Sequence, residues 1–163
     1  MANDHSLDRI DRKILRHLQD EARLTNQALA DRIALSPSAC LARVRRLEDL
    51  GIIQGYHARL DPFSVDVGLV LFVEISLEGR APDEQARFQK SLSAIPEIVE
   101  ASHVSGRIDY LLKVVVRDMQ HWTELREALV GGNYAVGSVT THVLMDKPKV
   151  FTSYPVAEQS PDR

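Results

Sequence analysis

Arg45 and Arg46 lie side by side in a stretch that carries the start and stop signals of one helix. Ser36 is a good N-cap, Pro37 suits the first helical position and Gly51 suits the C-terminal stop. Arginine side chains can donate hydrogen bonds to base edges in the major groove or to phosphate oxygens. The chemistry that this pair could perform is therefore the binding of duplex DNA.

The two faces of this predicted helix differ in character. At about 100° per residue the apolar side chains form one stripe, made of Cys40, Val44 and Leu47 and flanked by Leu41 and Leu50. The opposite face is small in its N-terminal half and basic in its middle, and it holds Ser38, Ala42, Arg45, Arg46 and Asp49. Small residues let a helix backbone approach base edges closely. This face is typical of a DNA recognition helix, and a solvated charged surface is the alternative.

Two shorter helical patterns precede this helix and must position it. Asp8 begins the first pattern, and Thr25 resembles the N-cap of the second, over residues 26–33. Residues 34–36 make a short turn into the arginine-bearing helix. Three helices of which the last two are tightly joined form a helix-turn-helix, although a generic helical bundle shares the pattern.

The first turn of the second helix carries groups that can hold a phosphate. Thr25, Asn26 and Gln27 supply a hydroxyl, two side-chain amides and free backbone N–H groups. We therefore expect these three residues to contact DNA phosphates.

Charge is distributed unevenly along the 163 residues. Residues 1–60 hold ten basic and eight acidic side chains, residues 61–163 hold ten and fifteen, and the net charge is −3. This charge balance excludes a protein surface that is basic throughout. Affinity for nucleic acid must therefore come from a local basic patch that oligomerisation repeats in several copies. No apolar run approaches a membrane span and Met1–Ser6 lack a signal-peptide pattern. We therefore expect a cytoplasmic, nucleoid-associated protein without a membrane partner.

Beyond Gly51 the hydrophobic period changes from helical to alternating. Ile52–Leu60 has the pattern of a strand, and Asp61–Pro62 ends this strand and marks a domain boundary. The patterns that follow predict strands over 68–78, 98–105, 109–117 and 136–145 and helices over 83–95 and after Asp118. This βαββαβ order predicts a four-stranded antiparallel sheet with both helices on one side. Because Val70 and Phe72 place apolar side chains on the open face, a second subunit is expected to cover it.

These patterns together predict an α+β chain with two small domains. An N-terminal helix-turn-helix (winged-helix-like) domain covers residues 1–51, and a C-terminal ferredoxin-like domain covers residues 68–148. A linker strand and hinge over residues 52–67 joins them, and residues 149–163 form a loosely held C-terminal tail.

Four motifs in this order resemble the leucine-responsive (Lrp/AsnC) transcriptional regulators of bacteria and archaea. The motifs are Leu7–Leu15, Leu35–Glu48, Gly51–Tyr56, and Val104–Gly106 with Asp109–Leu112, and the similarity covers roughly residues 7–145. The resemblance implies a sequence-specific DNA-binding regulator whose assembly or DNA affinity is modulated by a small amino-acid effector. It also implies homodimers that assemble into octamers, with the effector held where dimers meet.

Carried over by position, the resemblance implies two sets of site residues. The DNA-contacting set comprises Ser36, Ser38, Ala42, Arg43, Arg45 and Arg46, with Thr25, Asn26 and Gln27 on phosphates. The effector set comprises Gly106, Asp109, Met119, His142, Val143 and Leu144.

The chemistry of the effector set suits an amino-acid zwitterion. Free N–H groups of the Gly106 turn can bind its carboxylate, and Asp109 can accept hydrogen bonds from its ammonium group. Met119, Val143 and Leu144 would receive an apolar side chain.

Three positions depart from the pattern of the family. Ala34 occupies a turn position that is usually glycine, which costs on the order of 1 kcal/mol if the backbone there is left-handed. Arg107 stands where an acidic residue is common, and His142 stands where relatives often carry tyrosine. The last two departures leave the identity of the effector open.

The sequence shows no arrangement typical of an enzyme. The six histidines have no metal-ligand spacing with one another or with the single cysteine, Cys40, and no phosphate loop or activated nucleophile is present. We therefore expect no catalytic residue, metal or cofactor. Two alternatives stay open: a sirohaem-decarboxylase-like enzyme of this architecture, acting through His103 or His142, and an interaction module whose DNA binding has decayed.

Overall fold

The computed structural model describes residues 6–78, 82–132 and 134–157, and the chain divides into two compact units. The helical unit comprises Met1–Arg59 together with Lys149–Arg163. The sheet unit comprises Leu60–Pro148.

Three helices form the helical unit: α1 (Arg9–Asp20), α2 (Asn26–Ile33) and α3 (Pro37–Asp49). Each begins after a side chain that accepts a backbone N–H of the first turn, namely Asp8, Thr25 and Ser36. The predicted N-caps of α2 and α3 are therefore confirmed.

The three helices close around a small apolar core. Its buried members are Ile14, Leu29, Ala30, Ile33, Cys40 and Leu47. Burial raises the pKa of the Cys40 thiol above its ordinary value. Between α2 and α3 the chain passes through Ala34, whose backbone is left-handed with φ 57°.

The predicted strand over Ile52–Leu60 is wrong. All of these residues are described, and they form bends and irregular chain. A strand needs hydrogen bonds from a neighbouring strand, and alternating side chains do not supply that neighbour. Ile52 and Ile53 pack against the helical core, and the hydroxyl of Tyr56 donates to Glu48 of α3 at 3.0 Å. Partial burial, together with Glu48, raises the pKa of Tyr56 to about 12.

The C-terminal tail packs within the helical unit. The Tyr154 N–H donates to Oε1 of Gln19 in α1 at 2.7 Å, and Nε2 of Gln19 donates to the Tyr154 carbonyl at 3.1 Å. Residues 154–157 line a cleft of about 550 Å³ with α1 and residues 52–57. The segment that was expected to be loosely held is therefore hydrogen-bonded to α1.

The sheet unit begins with a short 3₁₀ helix (Pro62–Val65) and continues as a βαββαβ fold. Its elements are β1 (Leu69–Leu77), α4 (Pro82–Leu92), β2 (Ile98–His103), β3 (Tyr110–Val116), α5 (Met119–Gly131) and β4 (Val136–Val143). The strands form a fully antiparallel sheet in the order β2-β3-β1-β4. This order confirms the predicted ferredoxin-like architecture and makes β2 and β4 the edges.

One face of the sheet packs against α4 and α5. The core includes Leu71, Val73, Ile75, Phe88, Leu92, Tyr110, Leu112, Val114, Val116 and Trp122. Since side chains alternate along a strand, Phe72 and Glu74 lie on the opposite face. Val70 is only 2% exposed and therefore adds almost nothing to the surface of this face. Of the two residues predicted to form an apolar patch there, the half-buried Phe72 remains.

Candidate DNA interface and ligand site

The outer face of α3 has the composition that its sequence predicted. Ser38, Ala42 and Arg45 are exposed, whereas Cys40 is fully buried. The Ser36 hydroxyl accepts an N–H of the first turn and lies 3.2 Å from the Ser38 hydroxyl, which orders the start of the helix. The N-terminal half of α3 is therefore both small and well ordered.

The three arginines of α3 have different surroundings. Nη1 of Arg43 lies 2.6 Å from Oδ2 of Asp8 and 2.8 Å from Oδ1 of Asp11. Nη1 of Arg46 lies 3.1 Å from Oδ2 of Asp11. Arg45 is exposed and takes part in none of the ion pairs found in the described ranges. Two of the three arginines predicted to contact DNA are therefore bound to α1 and its N-cap.

The acidic partners of these arginines form a capping box at the start of α1. The Asp11 N–H donates to Asp8 at 2.8 Å, and the Asp8 N–H donates to Asp11 at 3.2 Å. Burial of Asp8 opposes its ionisation, but hydrogen bonds from the Asp11 N–H and from Arg43 outweigh burial and hold the pKa of Asp8 below 3.8. Hydrogen bonds to Asp8 and Asp11 raise the pKa of Arg43.

Sequence reasoning missed Asp8 and Asp11 as partners of the arginines. Arg43 follows Cys40 by three residues and precedes Leu47 by four, which places it beside the buried stripe of α3. That spacing was the available signal that Arg43 turns towards the other helices.

The side chains of the first turn of α2 are engaged within the helical unit. Thr25 caps the helix, and Nδ2 of Asn26 donates to the Pro37 carbonyl at 2.8 Å, which ties the start of α2 to the start of α3. Gln27 donates to Asp31 at 3.0 Å. Thr25 takes up one backbone N–H of this turn, so the N–H groups of Asn26 and Gln27, which have no intrahelical partner, are the groups best placed to bind a phosphate.

Gly106 and Asp109 lie in the β2–β3 hairpin at one end of the sheet. Gly106 has φ 131°, which other residues rarely adopt, and an added Cβ would meet nothing within 4 Å. Oδ2 of Asp109 accepts the Leu77 N–H at 2.8 Å, and Arg107 lies 3.3 Å from Glu74. One oxygen of Asp109 therefore caps the end of β1, and the other takes part in none of the hydrogen bonds found among the described residues.

Met119, Val143 and Leu144 lie at the other end of the sheet. Val143 pairs with Leu71 of β1, and Met119 is the first residue of α5, which follows β3. Met119 and Val143 are half exposed, and the Leu144 N–H donates to the Val70 carbonyl at 2.9 Å. This end provides apolar side chains without a charged group among the predicted site residues.

The strand register keeps these two groups apart within one copy of the chain. Along β1, Leu77 contacts Asp109 and Leu71 pairs with Val143. A strand rises about 3.3 Å per residue, so the two ends are separated by about 20 Å, which is longer than a free amino acid. The predicted effector residues therefore do not form one pocket within a single copy.

His103 and His142, the two candidate catalytic histidines of the enzyme alternative, do not lie close together. His103 ends β2 and stacks on Tyr110 with ring centroids 4.9 Å apart, whereas Nε2 of His142 in β4 lies 3.3 Å from Glu74. β2 and β4 are opposite edges, about 14 Å apart at roughly 4.8 Å per strand. Within the described ranges no three His, Cys, Asp or Glu side chains are grouped so as to hold a metal.

Known families match both units of the chain. Residues 7–54 match the family described as winged helix-turn-helix DNA-binding, and residues 70–154 match the Lrp/AsnC ligand binding domain. The leucine-responsive regulatory proteins of Klebsiella pneumoniae and Escherichia coli K12 are each 45% identical over 143 residues, which is 88% of this chain and 87% of theirs. The chain belongs to the Lrp/AsnC family.

Solved structures agree with this Lrp/AsnC membership. A transcriptional regulator from Neisseria meningitidis in complex with L-Met has a TM-score of 0.83 at 37% identity, covering 92% of this chain and 97% of that one. An AsnC family regulator from Agrobacterium tumefaciens has a TM-score of 0.82 at 34% identity, covering 91% and 97%. This Lrp/AsnC protein is thus a DNA-binding transcriptional regulator with a ligand-binding domain.

The predictions of fold and of overall function are therefore confirmed. The side chains of this Lrp/AsnC regulator that contact DNA or effector stay a prediction. In the part of the chain that is described, no helix is long and apolar enough to cross a membrane.

Proposed function

We propose that this regulator reads duplex DNA with the exposed face of α3, and that Arg45 is its principal contact. Arg45 is the arginine of α3 without an acidic partner in the described ranges, and Ser38 and Ala42 leave room for the helix backbone to approach base edges. The N–H groups of the first turn of α2 bind a phosphate and fix the register. In a symmetric dimer, two α3 helices enter successive major grooves.

The effector is an amino acid that binds between two copies of the chain. The observation that carries this proposal is the separation of about 20 Å between the Asp109 end and the Val143 end of the sheet. The Gly106 turn and Asp109 of one copy bind the carboxylate and the ammonium group, and Met119 and Val143 of another receive the side chain. The L-Met complex of the Neisseria relative favours an apolar side chain.

A site of this kind links effector binding to assembly. A ligand that binds only to associated copies stabilises the association by mass action. Association in turn brings several α3 helices to one DNA molecule and raises avidity without a new contact. Homodimers, octamers and residence on the nucleoid belong to this same proposal.

Subunit complementation tests the shared pocket. Asp109→Ala removes the ammonium acceptor, and Val143→Asp places a carboxylate among the apolar contacts. Each variant alone is expected to lose the change in DNA affinity that a mixture of amino acids causes in the wild-type protein. Mixed oligomers, co-expressed with two different tags and purified through both, are expected to regain part of that change, because each copy contributes one intact half.

The matched control for the second variant is Val130→Asp on α5. Val130 is 46% exposed and Val143 is 44% exposed, so the two substitutions perturb the surface similarly. Val130→Asp is expected to keep the response. Mixed oligomers that stay unresponsive, beside a responsive wild type, would contradict a pocket that two copies share.

A further inference from the structure

We propose that Asp11 sets the DNA specificity of α3 by holding Arg43 and Arg46 as positioning residues, which leaves Arg45 as the arginine of α3 that contacts DNA. The Asp11 side chain is 1% exposed and gives one oxygen to each arginine, at 2.8 Å to Arg43 and 3.1 Å to Arg46. The inference rests on the DNA contact of α3 proposed above.

Asp8, Asp11, Arg43 and Arg46 form a cluster that we name the α1–α3 clamp. Two carboxylates face two guanidinium groups, so the formal charges of the clamp cancel. The salt dependence of DNA binding reports the positive charge that a protein brings to phosphates, because each neutralised phosphate releases counterions. The neutral clamp adds nothing to this dependence, whereas Arg45 adds one charge.

The clamp also fixes the orientation of α3. Arg43 and Arg46 are one helical turn apart, and Asp11 lies in the first turn of α1. Two charge-assisted hydrogen bonds to one buried carboxylate restrict both rotation and sliding of α3 against α1. A helix held in this way presents Arg45 in a single direction, which a bidentate contact with a base edge requires.

Salt titrations of three matched arginine variants test whether Arg45 brings positive charge to DNA phosphates and the two clamp arginines do not. Arg45→Gln is expected to flatten the slope of log affinity against log salt by about 0.9 per bound copy. Arg43→Gln and Arg46→Gln are expected to flatten the slope by much less than Arg45→Gln, because neither clamp arginine neutralises a phosphate in the wild-type protein. The measurement is fluorescence anisotropy on a duplex selected from a random pool and on a scrambled duplex of the same length, with thermal melting to confirm folding.

Two carboxylate variants separate charge from positioning. Asp8→Asn and Asp11→Asn each leave the clamp with one unbalanced positive charge, so both are expected to steepen the slope by about 0.9 per copy. Asn is as good an N-cap as Asp, so Asp8→Asn keeps the helix start. Only Asp11→Asn removes the partner that both arginines share, and it alone is expected to lower the ratio of selected to scrambled affinity, by about tenfold.

The outcomes distinguish this inference from the function on which it rests. Equal flattening by all three arginine variants would overturn the inference and leave the DNA contact of α3 standing. An unchanged slope for Arg45→Gln would overturn the DNA contact and the inference together. Wild-type slope and ratio in folded Asp11→Asn would overturn the inference alone, and if that variant does not fold, Asp8→Asn and the arginine variants decide.

Discussion

The side-chain amide of Gln19 forms two hydrogen bonds with the main chain of Tyr154, at 2.7 Å and 3.1 Å. In a β-sheet, a neighbouring strand bonds the main-chain N–H and carbonyl of a residue. Here the side chain of Gln19 in α1 bonds both of these groups of Tyr154. The pair joins α1 to the chain that follows the last strand of the sheet unit. Contact therefore groups the tail with the helical unit, although in chain order it continues from the sheet unit.

Gln19→Leu should loosen this attachment. Both hydrogen bonds lie at the surface, so their loss is expected to lower the free energy of unfolding by about 1 kcal/mol. Urea unfolding measures that loss, and hydrogen exchange at the Tyr154 N–H is expected to accelerate. Gln27→Leu is the matched control, since it removes a surface hydrogen bond to Asp31, and faster exchange at Tyr154 in the control would contradict the assignment.

Ala34→Gly should stabilise the helical unit. The backbone of Ala34 is left-handed with φ 57°, and its side chain is exposed, so glycine relieves strain without opening a cavity. We expect a gain of about 0.5–1 kcal/mol in the free energy of unfolding. Ala42→Gly, at an exposed position inside α3, should lose about 1 kcal/mol, and the absence of this contrast would argue against strain at Ala34.

Variants of Asp109 should separate its two roles. Asp109→Asn keeps an oxygen that can accept the Leu77 N–H but loses the charge, so it should lose the effector response and keep the stability of the sheet unit. Asp109→Ala loses both roles and should also unfold about 1 kcal/mol more easily. DNA binding without effector should stay nearly intact in both. An unaltered effector response in either variant would remove Asp109 from the ligand site.

The lowered pKa of Asp8 predicts part of the acid sensitivity of the helical unit. Because the folded pKa lies below the ordinary value of 3.8, the ionised carboxylate stabilises the folded state. This contribution is complete above pH 3.8 and is lost as the pH falls through the lowered folded value. Asp8→Asn should therefore lose less stability than wild type on acidification below about pH 4, as measured by urea midpoints. Parallel losses in the two proteins would contradict this role.

Local signals in the sequence were enough to predict most of the fold. The N-caps Thr25 and Ser36 fixed the starts of α2 and α3, because capping depends on residues within one turn. The βαββαβ order followed from hydrophobic periodicity, since each element buries one face. The strand expected over residues 52–60 failed because strand formation depends on a partner that periodicity does not reveal.

The candidate site was less predictable because it depends on contacts between distant residues. Asp11 is 32 positions from Arg43 and accepts a hydrogen bond from its guanidinium group, a contact that the position of Arg43 in a motif does not disclose. The distance between the Asp109 and Val143 ends follows from strand register, and register is a tertiary property. Sequence thus named candidate residues, and the structure showed which of them lie together.

Arg45→Ala should weaken binding to a preferred duplex by about 1–3 kcal/mol if Arg45 reads a base, and should relax specificity at that base pair. A uniform loss on all sequences, with the base preference unchanged, would instead make Arg45 a phosphate contact. Anisotropy titrations on the preferred duplex and on single base-pair variants of it distinguish these results. Arg126→Ala on α5, at an exposed arginine outside the helical unit, is the matched control and should leave base preference unchanged.

The most direct test of the account is selection of bound fragments from a random duplex DNA pool by the purified protein. The selection is made with and without a mixture of the proteinogenic amino acids, and the recovered fragments are sequenced. We predict an enriched, near-palindromic motif whose recovery changes when the amino acids are present. No enrichment in either condition would contradict sequence-specific regulation by this chain.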